Sequence, residues 1–258
     1  MPRLTSRRAS DAEDDEGYFI SMSDMLTGLL FIFIILLLYF AQTFQKTTQE
    51  LTGANEARTK LLKEIEFEMN KAGFGAKAYP AEGVLRLENI AMFDNDKAEL
   101  LSDGEKAVDK LAELFLAKLP CYSHVKIDAR VQPCPPSKHS GQYIDTMLIE
   151  GHTDNKPRLA QNGRDTNIEL SANRSISTYE RLRLLKNHSI DDLVNRIQNP
   201  NGVEVDYPIL SVSGYGFTRP RPDSRSDSEI DRQRNRRIDI RFLMVTPGSV
   251  PPTMILEK

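Results

Sequence analysis

The chain has 258 residues, 28% of them charged and 40% hydrophobic, with a formal net charge of −3. That length holds one ordinary domain plus further segments. The near-neutral charge argues against a general polyanion binder, and the mean hydropathy of −0.43 excludes a polytopic membrane protein while leaving room for a single span. With no tryptophan, four histidines and two cysteines, it has few parts for metal or thiol chemistry and is not a disulfide-dense scaffold.

Residues 1–17 read as a polar tail, basic at Arg3, Arg7 and Arg8 and then acidic at Asp11, Glu13, Asp14, Asp15 and Glu16. A transmembrane helix is expected over 18–45. No charge occurs from Met25 to Gln45, and at ~1.5 Å per residue that stretch covers about 31 Å, close to a hydrocarbon core. The apolar run exceeds the usual signal-peptide core of about 7–15 residues. No small-x-small site follows it, since the chain continues Gln42-Thr43-Phe44-Gln45-Lys46. The charge pattern decides orientation only weakly.

Asp24 stands directly before this run, behind the uncharged Tyr18–Ser23. If the helix starts near Tyr18, the carboxylate is inside it, where it costs a few kcal/mol unless it faces a partner or water, and where it can take up and release a proton. If the helix starts at Met25, Ser23 or Asp24 is merely its cap. The residues alone leave both readings open.

Residues 46–79 are polar and helix-friendly, with Leu51, Leu61, Leu62, Ile65 and Met69 partly at helical spacing. They suggest a helical stalk, paired with a copy of itself, that ends at Gly73, Gly75 and Pro80. A compact α/β domain is expected over 80–246. Its strands are Val84–Glu88, Val125–Val131, Met147–Gly151, Leu210–Ser213 and Arg237–Phe242. Its helices are Ser102–Lys118, opened by a Ser102/Glu105 capping box, and one over Glu169–Leu185 that begins near Asn167. Residues 247–258, with three prolines, read as a loose tail.

Several motifs stand in order: Phe93-Asp94 with Ala98 and Leu100, Gly151-His152-Thr153-Asp154, Asn167-x-x-Leu170-Ser171-x-x-Arg174, Gly214-Tyr215-Gly216 with Pro220, and Asn235-Arg236-Arg237. The order resembles the OmpA-like peptidoglycan-binding domain and covers roughly residues 80–245. A mixed β-sheet packed on helices is the fold this implies. The resemblance also assigns a clamp for the zwitterionic end of diaminopimelate to Asp154 and Arg174, with Thr166, Asn167, Leu170 and Arg237 beside them. The alternative is that Asp154 and Arg174 pair with each other or cap the helix. Two segments are longer than the family pattern, Asn155–Thr166 and Gln132–Tyr143.

A single span with an acid near its start, a stalk and an OmpA-like domain resembles the MotB-type stator family. Tyr18 to Thr27 is similar to the segment in which that family's single Asp carries the ion. The resemblance therefore implies Asp24 as ion carrier, two copies of the chain within a ring of a MotA- or ZorA-like partner, five copies in all, and a wall-bound domain in the periplasm. The insertions and the cysteine pair look more like the ZorB subunits of Zorya anti-phage defence systems than flagellar MotB. A flagellar stator and a passive wall anchor are the alternatives. The transported ion would be a proton, with sodium less suited although Ser23 and Thr27 could supply oxygens. No cofactor, resident metal or direct nucleic-acid contact is implied, and no Gly-x-Ser-x-Gly, P-loop or His-Glu-x-x-His motif supports an enzyme. In a periplasm Cys121 and Cys134 suit a disulfide; Cys121, His124, Cys134 and His139 as zinc ligands are the rival. The eight arginines between Arg219 and Arg241, against five acids, read as motif positions, a solvated face or a glycan contact.

Overall fold

The computed structural model describes residues 7–246 except 89, 91, 127, 128, 130, 140, 185–189 and 200. The expected tail 247–258, parts of the strand expected at 125–131 and the expected helix end at Leu185 lie outside the described residues. The chain divides into two units, one up to Glu50 and one from Leu51.

In the first unit, helix α1 (Arg7–Lys71) is already formed long before Ser23, so neither Ser23 nor Asp24 is its cap. Leu26, Leu29, Phe33, Ile34 and Leu37 are all exposed on it. A helix apolar on every face has no stripe with which to dock on a soluble core, and this one is long and apolar enough to cross a membrane. The Thr27 hydroxyl donates to the Ser23 carbonyl at 2.8 Å. That bond satisfies a polar group locally, as an apolar surrounding demands.

The second unit begins with the last turns of α1. Leu61, Leu62, Ile65 and Met69 are fully buried and join the main core. The end of the segment expected as a stalk thus packs into the domain core, and the second unit starts at Leu51. A residue in the left-handed region ends the helix, and Gly73 supplies it (φ +86°). Asn70 then exchanges two hydrogen bonds with the backbone of Ala76, at 2.9 and 3.0 Å, and ties the next strand to the helix end.

The strands are β1 (Ala76–Tyr79), β2 (Val84–Leu87), β3 (His124–Val125), β4 (Ile144–Gly151), β5 (Leu193–Gln198), β6 (Glu204–Pro208), β7 (Leu210–Gly214) and β8 (Ile238–Met244). The helices are α2 (Ser102–Lys118), α3 (Asn167–Arg183) and α4 (Glu229–Asn235). The main sheet has the order β1-β2-β8-β4-β7. It is antiparallel except for the parallel β4/β7 pair, in which Gly151 is level with Gly214. A smaller antiparallel sheet, β3-β5-β6, is stapled by an Arg196–Asp206 fork at 2.7 and 3.1 Å. The architecture is mixed α/β, with a long N-terminal apolar helix and a mixed sheet packed on helices.

Two local expectations differ from the structure. Among the described residues of the strand expected at 125–131, pairing covers His124–Val125, with the Lys126 amide donating to the Asp192 carbonyl at 3.0 Å just beyond. The Ser102/Glu105 capping box does not form, because Leu101 holds the cap position with no side-chain bond and Glu105 turns to Arg181 at 3.3 Å. Cys121 and Cys134 are joined in a disulfide. With both thiols in that bond, His124 and His139 instead lie against the Tyr143 ring, 4.4 and 5.0 Å between centroids.

Two glycines place α3. A Cβ on Gly151 would lie 2.0 Å from the Ser171 carbonyl oxygen, and one on Gly214 would lie 2.6 Å from the Ala172 nitrogen. The helix backbone rests directly on the paired ends of β4 and β7, an approach only glycine permits. Asp154 and the first turns of α3 are thereby brought to one edge of the sheet.

Candidate functional site

A cleft of about 400 Å³ lies at that edge. Asp154, Asn167, Leu170 and Arg174 line it, together with Asp96, Arg158 and Arg236.

Asp154 leaves the end of β4 on a loop fixed by a hydrogen bond from the Thr153 amide to the Gly216 carbonyl, 2.9 Å. One carboxylate oxygen accepts from the Lys156 amide at 3.0 Å, and the other from Arg236 Nη1 at 2.7 Å. Arg236 is held in turn by Glu229 at 2.8 Å. Asn167 donates through its side chain to the Lys156 carbonyl at 2.9 Å and so closes the rim. Thr166 does not line the cleft. Its hydroxyl donates to the Arg158 carbonyl and accepts from Arg158 Nη1, both at 3.0 Å, which positions an arginine that does.

Arg174 is 1% exposed. Its Nε and Nη2 donate to the carbonyls of Lys97 and Asp94, at 2.9 and 3.1 Å, and its guanidinium lies over the Phe93 ring. The upstream Phe93–Leu100 motif therefore serves to seat this arginine. Its acceptors are neutral carbonyls, so the positive charge stays uncompensated. Nη1 has no hydrogen-bond partner among the described residues. Burial, reinforced by Arg236 and opposed by Asp154 and Asp96, pulls the Arg174 pKa down to about 10, so it stays charged at neutral pH. Asp154 and Arg174 make no ion pair with each other, and each is anchored separately on the same cleft. A ligand bearing both charges would meet a carboxylate and a guanidinium already oriented.

Arg237 is not in this cleft. Adjacent residues diverge where α4 passes into β8, and it is Arg236 that faces Asp154. Arg237 turns to a buried network in which Asp239 accepts a fork from Arg86, at 2.8 and 3.0 Å, and a bond from Arg237 Nε at 3.0 Å. Beside it Arg241 forks onto the fully buried Glu150, at 2.6 and 3.0 Å. Burial opposes ionisation of Asp239, but the bond from Arg86 and the charge of Arg237 hold its carboxyl below the usual range. His152 is stacked on Tyr215. Burial first, then the charge of Arg237, push its pKa down to about 3 against the opposing pull of Asp239, so it is neutral. Glu150, His152 and Asp239 bring ligand atoms within 4.8 Å of one another. Both carboxylates are already forked by arginines, so a cation would have to displace those bonds, and the donor set does not suit a resident metal.

Motif reading placed Asp154, Asn167, Leu170 and Arg174 together, and the structure brings those four to one cleft. It missed Arg158 and Asp96, which come from the insertion and from the loop before α2, and it named Arg237 where Arg236 lines the cleft. Charge at the insertion was the only available signal for Arg158.

Fold and cleft together define a class, a mixed α/β domain with a charged end-of-sheet cleft, in a chain that also has a long N-terminal apolar helix. No protein-family model matches the chain, and no curated protein does. Among solved structures the chain is similar to a MotB-like protein from Desulfovibrio vulgaris, with 20% identity over 74% of this chain and 97% of that one, TM-score 0.47. It is also similar to the cell wall anchor of the T6SS from Pseudomonas aeruginosa, with 17% identity over 71% and 97%, TM-score 0.43. A third similar structure is the periplasmic domain of Helicobacter pylori MotB, with 22% identity over 68% and 82%, TM-score 0.41.

Proposed function

We propose that this chain is the wall-anchored subunit of a proton-driven rotary motor in the bacterial inner membrane, of the MotB type and employed in anti-phage defence. Its N-terminal tail lies in the cytoplasm and its α/β domain in the periplasm. The observation that carries the reading is Asp24, the only charged residue between Tyr18 and Gln45. It is set within a helix that continues on both sides of it.

Two copies of this chain place two Asp24 side chains inside a ring of five copies of a MotA- or ZorA-like partner. A proton arriving from the periplasm neutralises one carboxylate and later leaves to the cytoplasm. The charged form attracts polar groups of the ring and the neutral form does not, so alternation between them steps the ring round. The Asp154–Arg174 cleft holds the dimer still. Arg174 takes the carboxylate of a diaminopimelate side chain through its unpartnered Nη1, and Asp154 takes the ammonium. Asn167 and Leu170 shape the wall between them, and the chain performs no catalysis.

The test is Asp24→Asn in cells carrying this chain with its MotA-like partner, scored by phage plating efficiency. Protection disappears while membrane insertion and retention on purified sacculi persist. Undiminished protection refutes ion carriage and leaves a passive anchor.

A further inference from the structure

A separate cleft of about 420 Å³ is lined by the β1–β2 hairpin, the start of β8 and the 219–223 loop. It shares no lining residue with the Asp154 cleft. Its walls carry six cations, Lys77, Arg86, Arg219, Arg221, Arg237 and Arg241, against the three acids Glu82, Asp223 and Asp239. Behind the wall Glu150 answers Arg241 and Glu88 answers Arg221.

Two cationic groups remain without a carboxylate, and one carboxylate has to serve two more. Asp239 is shared between Arg86 and Arg237. Lys77 lies over the Tyr79 ring and Arg219 over the Tyr215 ring, and neither has a carboxylate partner among the described residues. Deeper in, Arg237 is 6% exposed and its Nη1 has no hydrogen-bond partner, and neither ring nitrogen of the 2%-exposed His152 makes a hydrogen bond, although Nε2 stands 3.5 Å from Asp239 Oδ2. Buried donors left without an acceptor are rare, because each forfeits its hydration for nothing.

We infer that this cleft is an anion site that takes a phosphate group on a small organic carrier, with Lys77 and Arg219 at the rim and Arg237 on the floor. A phosphate monoester brings nearly two negative charges and three acceptor oxygens. That suits the unanswered Lys77 and Arg219, with the free Nη1 of Arg237 below them, better than a lone carboxylate, which has one charge and two oxygens. The cavity is much larger than a bare phosphate fills, so the group enters with its carrier. Guanidinium forks suit such oxygens, and the neutral imidazole of His152 supplies one further N–H.

The experiment uses the full chain in detergent micelles at low salt, where screening is weak. sn-Glycerol 3-phosphate is titrated by calorimetry, and the His152 ring signals are followed by NMR. Saturable binding that moves the His152 signals is expected, with uncharged glycerol as the inactive control. Lys77 and Arg219 are both exposed, so Lys77→Ala/Arg219→Ala keeps the fold, with an unchanged thermal midpoint, and weakens binding about tenfold or more. No saturation, saturation without movement of the His152 signals, or equal affinity in the double variant overturns the proposal. Repeating the measurement in nanodiscs assigns the source. His152 signals already displaced in phosphatidic acid but not in phosphatidylcholine put the phosphate on a lipid headgroup, and equal response to added glycerol 3-phosphate in both makes it a soluble organic phosphate.

Discussion

His152 makes the stability of the domain depend on pH in a window where carboxylates contribute little. The folded protein keeps this imidazole neutral down to about pH 3, whereas the unfolded chain protonates it near the ordinary value of about 6.5. Between those values the unfolded state binds one more proton, so stability falls as pH falls, by about 1.4 kcal/mol per unit once well below 6.5. Integrated from pH 7.5 to pH 5, the loss is about 2 kcal/mol. With a urea slope of about 2 kcal/mol/M, the midpoint moves down by roughly 1 M. His124, lowered chiefly by its own burial with help from Arg196, acts in the same direction. The assay is therefore a difference, the urea midpoint of the full chain in detergent at pH 7.5 and pH 5, for the parent and for His152→Gln. The variant should lose most of the pH dependence. Equal midpoint shifts in the two proteins would refute the assignment of the buried neutral imidazole.

Arg174→Lys keeps the charge but loses the fork that reaches the Lys97 and Asp94 carbonyls, and retention on purified sacculi should fall about tenfold; undiminished retention removes Arg174 from the binding site. Opening the Cys121–Cys134 bond, which closes a 13-residue separation, by Cys121→Ser/Cys134→Ser should cost about 3 kcal/mol in the loop-entropy account, read as a lower urea midpoint that reducing agent no longer changes. Ile65→Ala empties a fully buried position on α1 and should cost about 2–4 kcal/mol. A free stalk would show almost no change.

The one-dimensional pattern determined whatever depends on neighbours along the chain. A charge-free stretch is long enough for a bilayer whatever folds after it, so the span and the isolation of Asp24 were legible at once. The apolar run of β4, the alternation in β8 and the helical spacing in α2 and α3 were legible for the same reason. So were Asp154, Asn167, Leu170 and Arg174, because they belong to compact motifs. Tertiary structure decided what depends on partners far away. Leu61, Leu62, Ile65 and Met69 look alike on a free stalk and on a core wall, and only the sheet they meet settles which. Strands β5 and β6 carry little apolar alternation and are held by each other and by the Arg196–Asp206 fork. Neighbouring Arg236 and Arg237 are chemically identical. One reaches Asp154 and the other Asp239 because the chain turns from α4 into β8 between them, a geometry that no residue type announces.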